Sequence, residues 1–143
     1  MRSILLAALL SASLHAATVE IRAKSTDTWI AWRGVEFLDA NDQPLGEACI
    51  HQSSGTLPCA NLANGNRKDG WSARDYKGSV TFRVNAKRRD IHRIILIPCC
   101  GDAGPEPFSN TVRIKVIIDG YPWDLGMREY TLGADQRVDL FLQ

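Results

Sequence analysis

The sequence predicts an all-β protein, an antiparallel β-sandwich of jelly-roll type. Three observations predict it. Short runs of alternating apolar and polar residues recur at roughly 8–12-residue spacing. Gly, Pro, Asn and Asp clusters stand between them, as turns require. Outside the first residues, no stretch carries a helical period, and the connections are too short for helical crossovers, so neighbouring strands must pair antiparallel.

Residues 1–16 have the layout of a signal peptide. Arg2 is their only charge, residues 4–10 are a short apolar run, and Leu14-His15-Ala16-Ala17 offers small residues for cleavage. A bilayer span needs about 20 apolar residues; this run is shorter, and no second run of that length follows. The expectation is a secreted, extracellular protein with no transmembrane segment and one domain over residues 17–143. Cleavage removes one Arg and no acid, so 17 basic against 16 acidic residues becomes 16 against 16. A balanced charge gives no reason to expect nucleic acid as a partner.

Residues 18–23, TVEIRA, alternate with period two and read as a strand; residues 25–28 read as a turn. Residues 29–38 carry Trp29, Ile30, Ala31, Trp32, Val35 and Phe37, with Gly34 marking a bulge. Trp29 and Trp32 are expected to be half-buried. Residues 39–46 form a turn, and residues 46–60 read as a loop bracketed by Cys49 and Cys59. Residues 75–78 read as a further turn. Val80, Phe82 and Val84 then alternate with Ser79, Thr81 and Arg83. Residues 91–98 are apolar almost throughout, as in a strand covered on both faces. A loop over residues 99–110 contains the adjacent Cys99 and Cys100. Val112, Ile114 and Val116 alternate with Arg113 and Lys115, Asp119-Gly120 is a turn, and residues 130–132 and 138–142 are the last strands.

The chain is organised around residues 60–84, an Asn- and Gly-rich loop followed by Trp71 and a strand. Here the sequence resembles the discoidin-like domains, the galactose-binding-like jelly rolls that include coagulation-factor type C domains. WRGVEFLDANDQPL resembles their first core strand and turn, and NGNRKDGW resembles their Asp-Gly-Asn-x-x-Thr-x-Trp loop. GSVTFRV and DIHRIILI resemble the strands that follow, and VIIDGYPWDL is similar to the strand carrying Asp-Gly-x-x-Trp. The resemblance implies a binding module, a core position for Trp71 and a loop that often holds structural calcium. Asn64 and Asp69 depart from the family loop, and Cys99-Cys100 has no counterpart in the pattern.

The residues suggest binding more than catalysis. No nucleophile elbow, spaced carboxylate pair, HExxH or phosphate loop is present, so the reading is not an enzyme, with a hydrolase kept only as a third class. Cys49 and Cys59 enclose a Gly-containing loop that a disulfide can close; cross-pairing of both with Cys99 and Cys100 is the alternative. Asn64, Asn66 and Asp69 are candidate ligands for Ca²⁺, which takes oxygen donors. The other reading is an Asn/Gly turn bonding its own backbone. His51 lies in the Cys-bounded loop, where it can contact a sugar. Tyr121 and Trp123 follow a turn, where aromatic faces can stack on sugar rings, or pack within a hairpin. Arg93 belongs to a basic run with Arg83, Lys87, Arg88 and Arg89, either a solvated turn or a contact for an acidic glycan or lipid headgroup. The expected function is a secreted module recognising a glycan or glycoprotein through loops at one end of the sandwich. The alternative is a toxin- or effector-like protein binding a host protein or lipid headgroup.

Overall fold

The computed structural model describes residues 16–25, 30–53, 55, 57–63, 70–73, 77–98, 111–123, 128–131 and 137–141. They form ten strands: β1 (Ala17–Ser25), β2 (Ala31–Leu38), β3 (Glu47–Gln52), β4 (Trp71–Ser72), β5 (Lys77–Val84), β6 (Arg93–Pro98), β7 (Thr111–Ile118), β8 (Tyr121–Pro122), β9 (Arg128–Thr131) and β10 (Val138–Phe141). Short 3₁₀ turns at Cys59–Leu62 and Arg88–Asp90 complete the described secondary structure. The signal-peptide reading over residues 1–15, Trp29, the calcium candidates Asn64, Asn66 and Asp69, and Cys99-Cys100 fall outside the described residues.

The strands make two antiparallel sheets. One runs β3-β5-β1-β7-β8, with β9 also on β7; the other runs β10-β6-β2-β4. Successive strands from β1 to β7 alternate between the sheets, the path of a jelly-roll-type sandwich. Period-two alternation decides which side chains face inward. Val19 and Ile21 of β1, Val80, Phe82 and Val84 of β5, and Val112, Ile114, Val116 and Ile118 of β7 are buried. They meet Trp32, Phe37, Ile94, Leu96 and Leu140 of the second sheet. Phe37 and Phe82 touch edge to face across the interior, with centroids 5.2 Å apart. Each such side chain contributes about 1.5–3 kcal/mol on leaving water. In β6, Ile94, Ile95 and Leu96 are all buried, as its continuous apolar run requires. The register between β2 and β6 shifts between Trp32 and Gly34, the bulge that Gly34 signals in the sequence.

Three readings are corrected. Residues 47–52, read as part of a loop, form β3 at the edge of the larger sheet. The register with β5 slips between Cys49 and His51, so Ile50 is an extra residue that breaks the alternation. Lys77 and Gly78 belong to β5 and not to a turn. Gly78 is buried there because the Trp71 indole packs over it: a Cβ at this position would lie 2.9 Å from the Ala73 Cβ and 3.1 Å from Trp71 Cη2. Trp32 is fully buried, not half-buried. Its indole N–H is satisfied inside the core by the Tyr130 hydroxyl at 2.8 Å, which removes the reason for a Trp to reach water.

Cys49 and Cys59 form a disulfide that ties β3 to the 3₁₀ turn at Cys59–Leu62. The enclosed segment is also held by Gln52, which accepts from the Cys59 N–H at 2.6 Å and donates to the Leu57 carbonyl at 3.2 Å. Replacing both cysteines with serine should lower the unfolding free energy by roughly 2–3 kcal/mol through the restored loop entropy of the unfolded chain. Denaturant titration measures this; an unchanged midpoint would rule out the bond as a stabilising element.

Candidate functional site

A concavity beside the aromatic and basic candidates lies at one end of the sandwich, where the chain crosses from β5 to β6. It is an open cleft of about 530 Å³ lined by Lys87, Arg88, Arg89, Ile91 and Trp123. Two segments build it. The first is the crossing from β5 to β6. Asn85 N–H donates to the Gly46 carbonyl at 2.8 Å, and the Ala86 carbonyl accepts from Ala17 N–H at 2.9 Å. His92 N–H then reaches the Leu38 carbonyl at 2.9 Å. These bonds anchor both ends of the crossing, and the 3₁₀ turn Arg88–Asp90 spans the gap between the sheets. Ile91, 1% exposed, plugs the interior beneath it, so the adjacent cationic side chains are directed outward.

The second segment is the β7–β8 hairpin. Asp119 and Gly120 both take positive φ, at 52° and 83°, the conformation of a two-residue Asp-Gly hairpin turn. The turn is pinned to β1: Asp119 Oδ1 accepts from Thr18 N–H at 2.9 Å, and Asp119 N–H donates to the Thr18 carbonyl at 2.8 Å. Tyr121 pairs with Ile118 and remains 68% exposed. Trp123 donates its backbone N–H to the Val116 carbonyl at 2.7 Å and packs half-buried against the core. The Arg88 guanidinium lies 5.3 Å from the centre of the Trp123 ring, a cation–π contact joining the two segments.

The sequence candidates separate into groups. Trp123 lines the cleft, and Tyr121 is two residues away on the same hairpin. Lys87, Arg88 and Arg89, read as a basic run, supply its charge. Arg93 is engaged elsewhere: it pairs with Asp42 at 3.1 Å and Asp139 at 3.9 Å, and its guanidinium lies 5.6 Å from the Phe141 ring centre. His51 is exposed on the edge strand β3, opposite Thr81, and does not line the cleft. Among the described residues, no group of three or more His, Cys, Asp or Glu side chains is gathered as metal ligands would be.

One feature escaped the sequence reading. Glu47, at the start of β3, has a carboxylate oxygen that is buried without a hydrogen-bond partner. The chain reaches it by running back along β2, where Leu45 N–H donates to the Phe37 carbonyl at 2.8 Å and Pro44 bridges Leu38. This path leaves Glu47 partly out of water and within the field of Glu36. Desolvation, and secondarily the Glu36 charge, push the Glu47 carboxyl up to about 8. The Tyr130 hydroxyl is also raised by burial, although the Trp32 N–H opposes the shift. Compared with protein-family models, curated proteins and solved structures, the chain finds no match.

Proposed function

We propose a secreted carbohydrate-binding module of discoidin-like type that takes an acidic sugar in the end cleft. The observation that supports it best is the meeting of Trp123 with Lys87, Arg88 and Arg89 above the buried Ile91. A sugar ring has an apolar C–H face, which an indole complements, and a polar rim. A carboxylate or sulfate on that rim complements a guanidinium, whose planar fork binds two oxygens at once. Arg88 already rests against Trp123, so platform and cation are positioned together before a ligand arrives. Tyr121 adds an exposed aromatic on the same hairpin. The reading includes calcium at Asn64, Asn66 and Asp69 on sequence grounds.

Purified protein on an array of acidic and neutral glycans, with and without calcium, tests the reading. The wild type should retain acidic glycans. Trp123→Ala and Arg88→Gln should each weaken that binding about tenfold or more, a loss near 1.4 kcal/mol. A melting curve shows whether each variant is folded. Failure of folded wild type to retain any acidic glycan would end the reading, and capture by anionic lipid vesicles alone would replace it with headgroup recognition.

A further inference from the structure

The outer face of the larger sheet carries a second basic surface, whereas Trp123 of the end cleft packs against the core on the inner side. Strand registry sets it. Lys24 of β1 lies between Lys77 of β5 and Arg113 of β7, and Arg22 lies between Ser79 and Lys115. Adjacent strands are about 4.8 Å apart, and same-face neighbours along a strand are about 6.8 Å apart. Five cations therefore occupy two successive rows, in a patch of about 10 by 7 Å. They line a shallow groove of about 690 Å³. Ser53 closes one side, its hydroxyl accepting from Ser79 N–H at 2.8 Å.

Like charges directly opposite each other across strands destabilise a sheet. Only part of this repulsion is relieved. Glu20 pairs with Arg22 at 3.1 Å, and Glu129 with Arg113 at 2.9 Å. Among the described residues, no ion pair reaches Lys24, Lys77 or Lys115. The chain thus holds three lysines beside two arginines at a cost to its own folding, a cost that a bound polyanion would offset.

The composition of the groove selects the polyanion. Among the described residues no aromatic side chain lines it, so they offer no platform for the bases of a single-stranded nucleic acid. Its width of three strands is small against the 6–10 phosphate contacts typical of duplex binding. Among the described residues of the patch no large apolar side chain stands out to enter a membrane, since Ile114 is buried. Closely spaced cations with serine hydroxyls between them suit sulfate or carboxylate groups carried on a sugar chain. We propose that this face binds a short segment of a sulfated or uronate-bearing polysaccharide, with Lys24 and Lys115 at its centre. The proposal does not depend on the end cleft.

The test uses the full chain, heparin as the sulfated polysaccharide, and single-stranded and duplex DNA as competing polyanions. Affinity for heparin should fall as salt rises, since cations released from the polymer drive binding. A Lys24→Gln, Lys115→Gln double variant should lose about tenfold or more in heparin affinity, as loss of two charge contacts implies. Without ligand it should melt no lower than wild type and somewhat higher, because the opposed like charges are gone. Because the end cleft is itself read as taking acidic sugars, the comparison is repeated in an Arg88→Gln background, where the double variant should still cost about tenfold, which assigns that loss to the sheet face. Absence of heparin binding by wild type, undiminished binding by the double variant, or tighter binding of either DNA would overturn the proposal.

Discussion

Trp71→Ala is expected to lower the unfolding free energy by about 3–5 kcal/mol, the range for removing a large buried aromatic. Trp71 is 1% exposed and lies 5.0 Å, centroid to centroid, from the equally buried Trp32. It stands on β4 in the smaller sheet, yet its ring packs over Gly78 of β5 in the larger one. The indole thus joins the two layers. Gly70 fixes its approach, with φ of 63° and the Trp32 carbonyl so close that a Cβ would sit 2.4 Å from the oxygen. Truncation leaves a void between the sheets and removes one wall from Trp32, which also holds Tyr130. In a domain of this size the melting temperature should fall by on the order of 10–20 °C. A drop of only a degree or two would show that Trp71 does not join the layers.

Glu47→Gln should act in the opposite direction, and only at higher pH. The Glu47 carboxyl titrates near 8 in the folded protein, above its ordinary value of 4.5. The native state therefore holds a proton that the unfolded state has released, and stability must fall as pH rises between those values. Below about 4.5 both states are protonated and the residue makes no difference. Above about 8 the buried oxygen carries its charge unpaired, and the full cost is present. A neutral amide of the same shape removes the cost, on the order of 3 kcal/mol after allowing for partial access of water. The melting-temperature difference between variant and wild type should be near zero at pH 4, grow through neutrality and level off above pH 8. A constant difference, or one largest in acid, would refute the assignment. Glu36→Gln should reproduce a smaller part of the gain, since its charge is the lesser cause.

The strands most directly legible in the sequence are those whose alternation is unbroken, with β6 legible instead through its continuous apolar run. β1, β5 and β7 each present one clean apolar face and hydrogen-bond along most of their length. β3 was hidden because Ile50 bulges out, which moves His51 onto the face that a regular strand would give to Ile50. Trp32 was misjudged because its partner, Tyr130, stands 98 residues away. The two surfaces were hidden for a similar reason. The basic run at 87–89 and Trp123 are visible separately, and only the sandwich topology sets them around one cleft. The five cations of the outer sheet face come from three strands, and the balanced net charge of the chain conceals them. Glu47 has no sequence signature, since its burial follows from how the chain passes the edge of β2.

The place of β1 at the centre of its sheet has a consequence for how the molecule is made. β1, the first of the described strands, bonds to β5 along one edge and to β7 along the other. As the chain emerges from the ribosome, both edges stay open until residues 77–84 and then 111–118 have been added. An open strand edge invites pairing with other chains, and closing such distant contacts is slow compared with local ones. β1 thus waits for partners about 60 and 95 residues further along the chain, and the nascent chain needs shelter for it until residue 118 has been added.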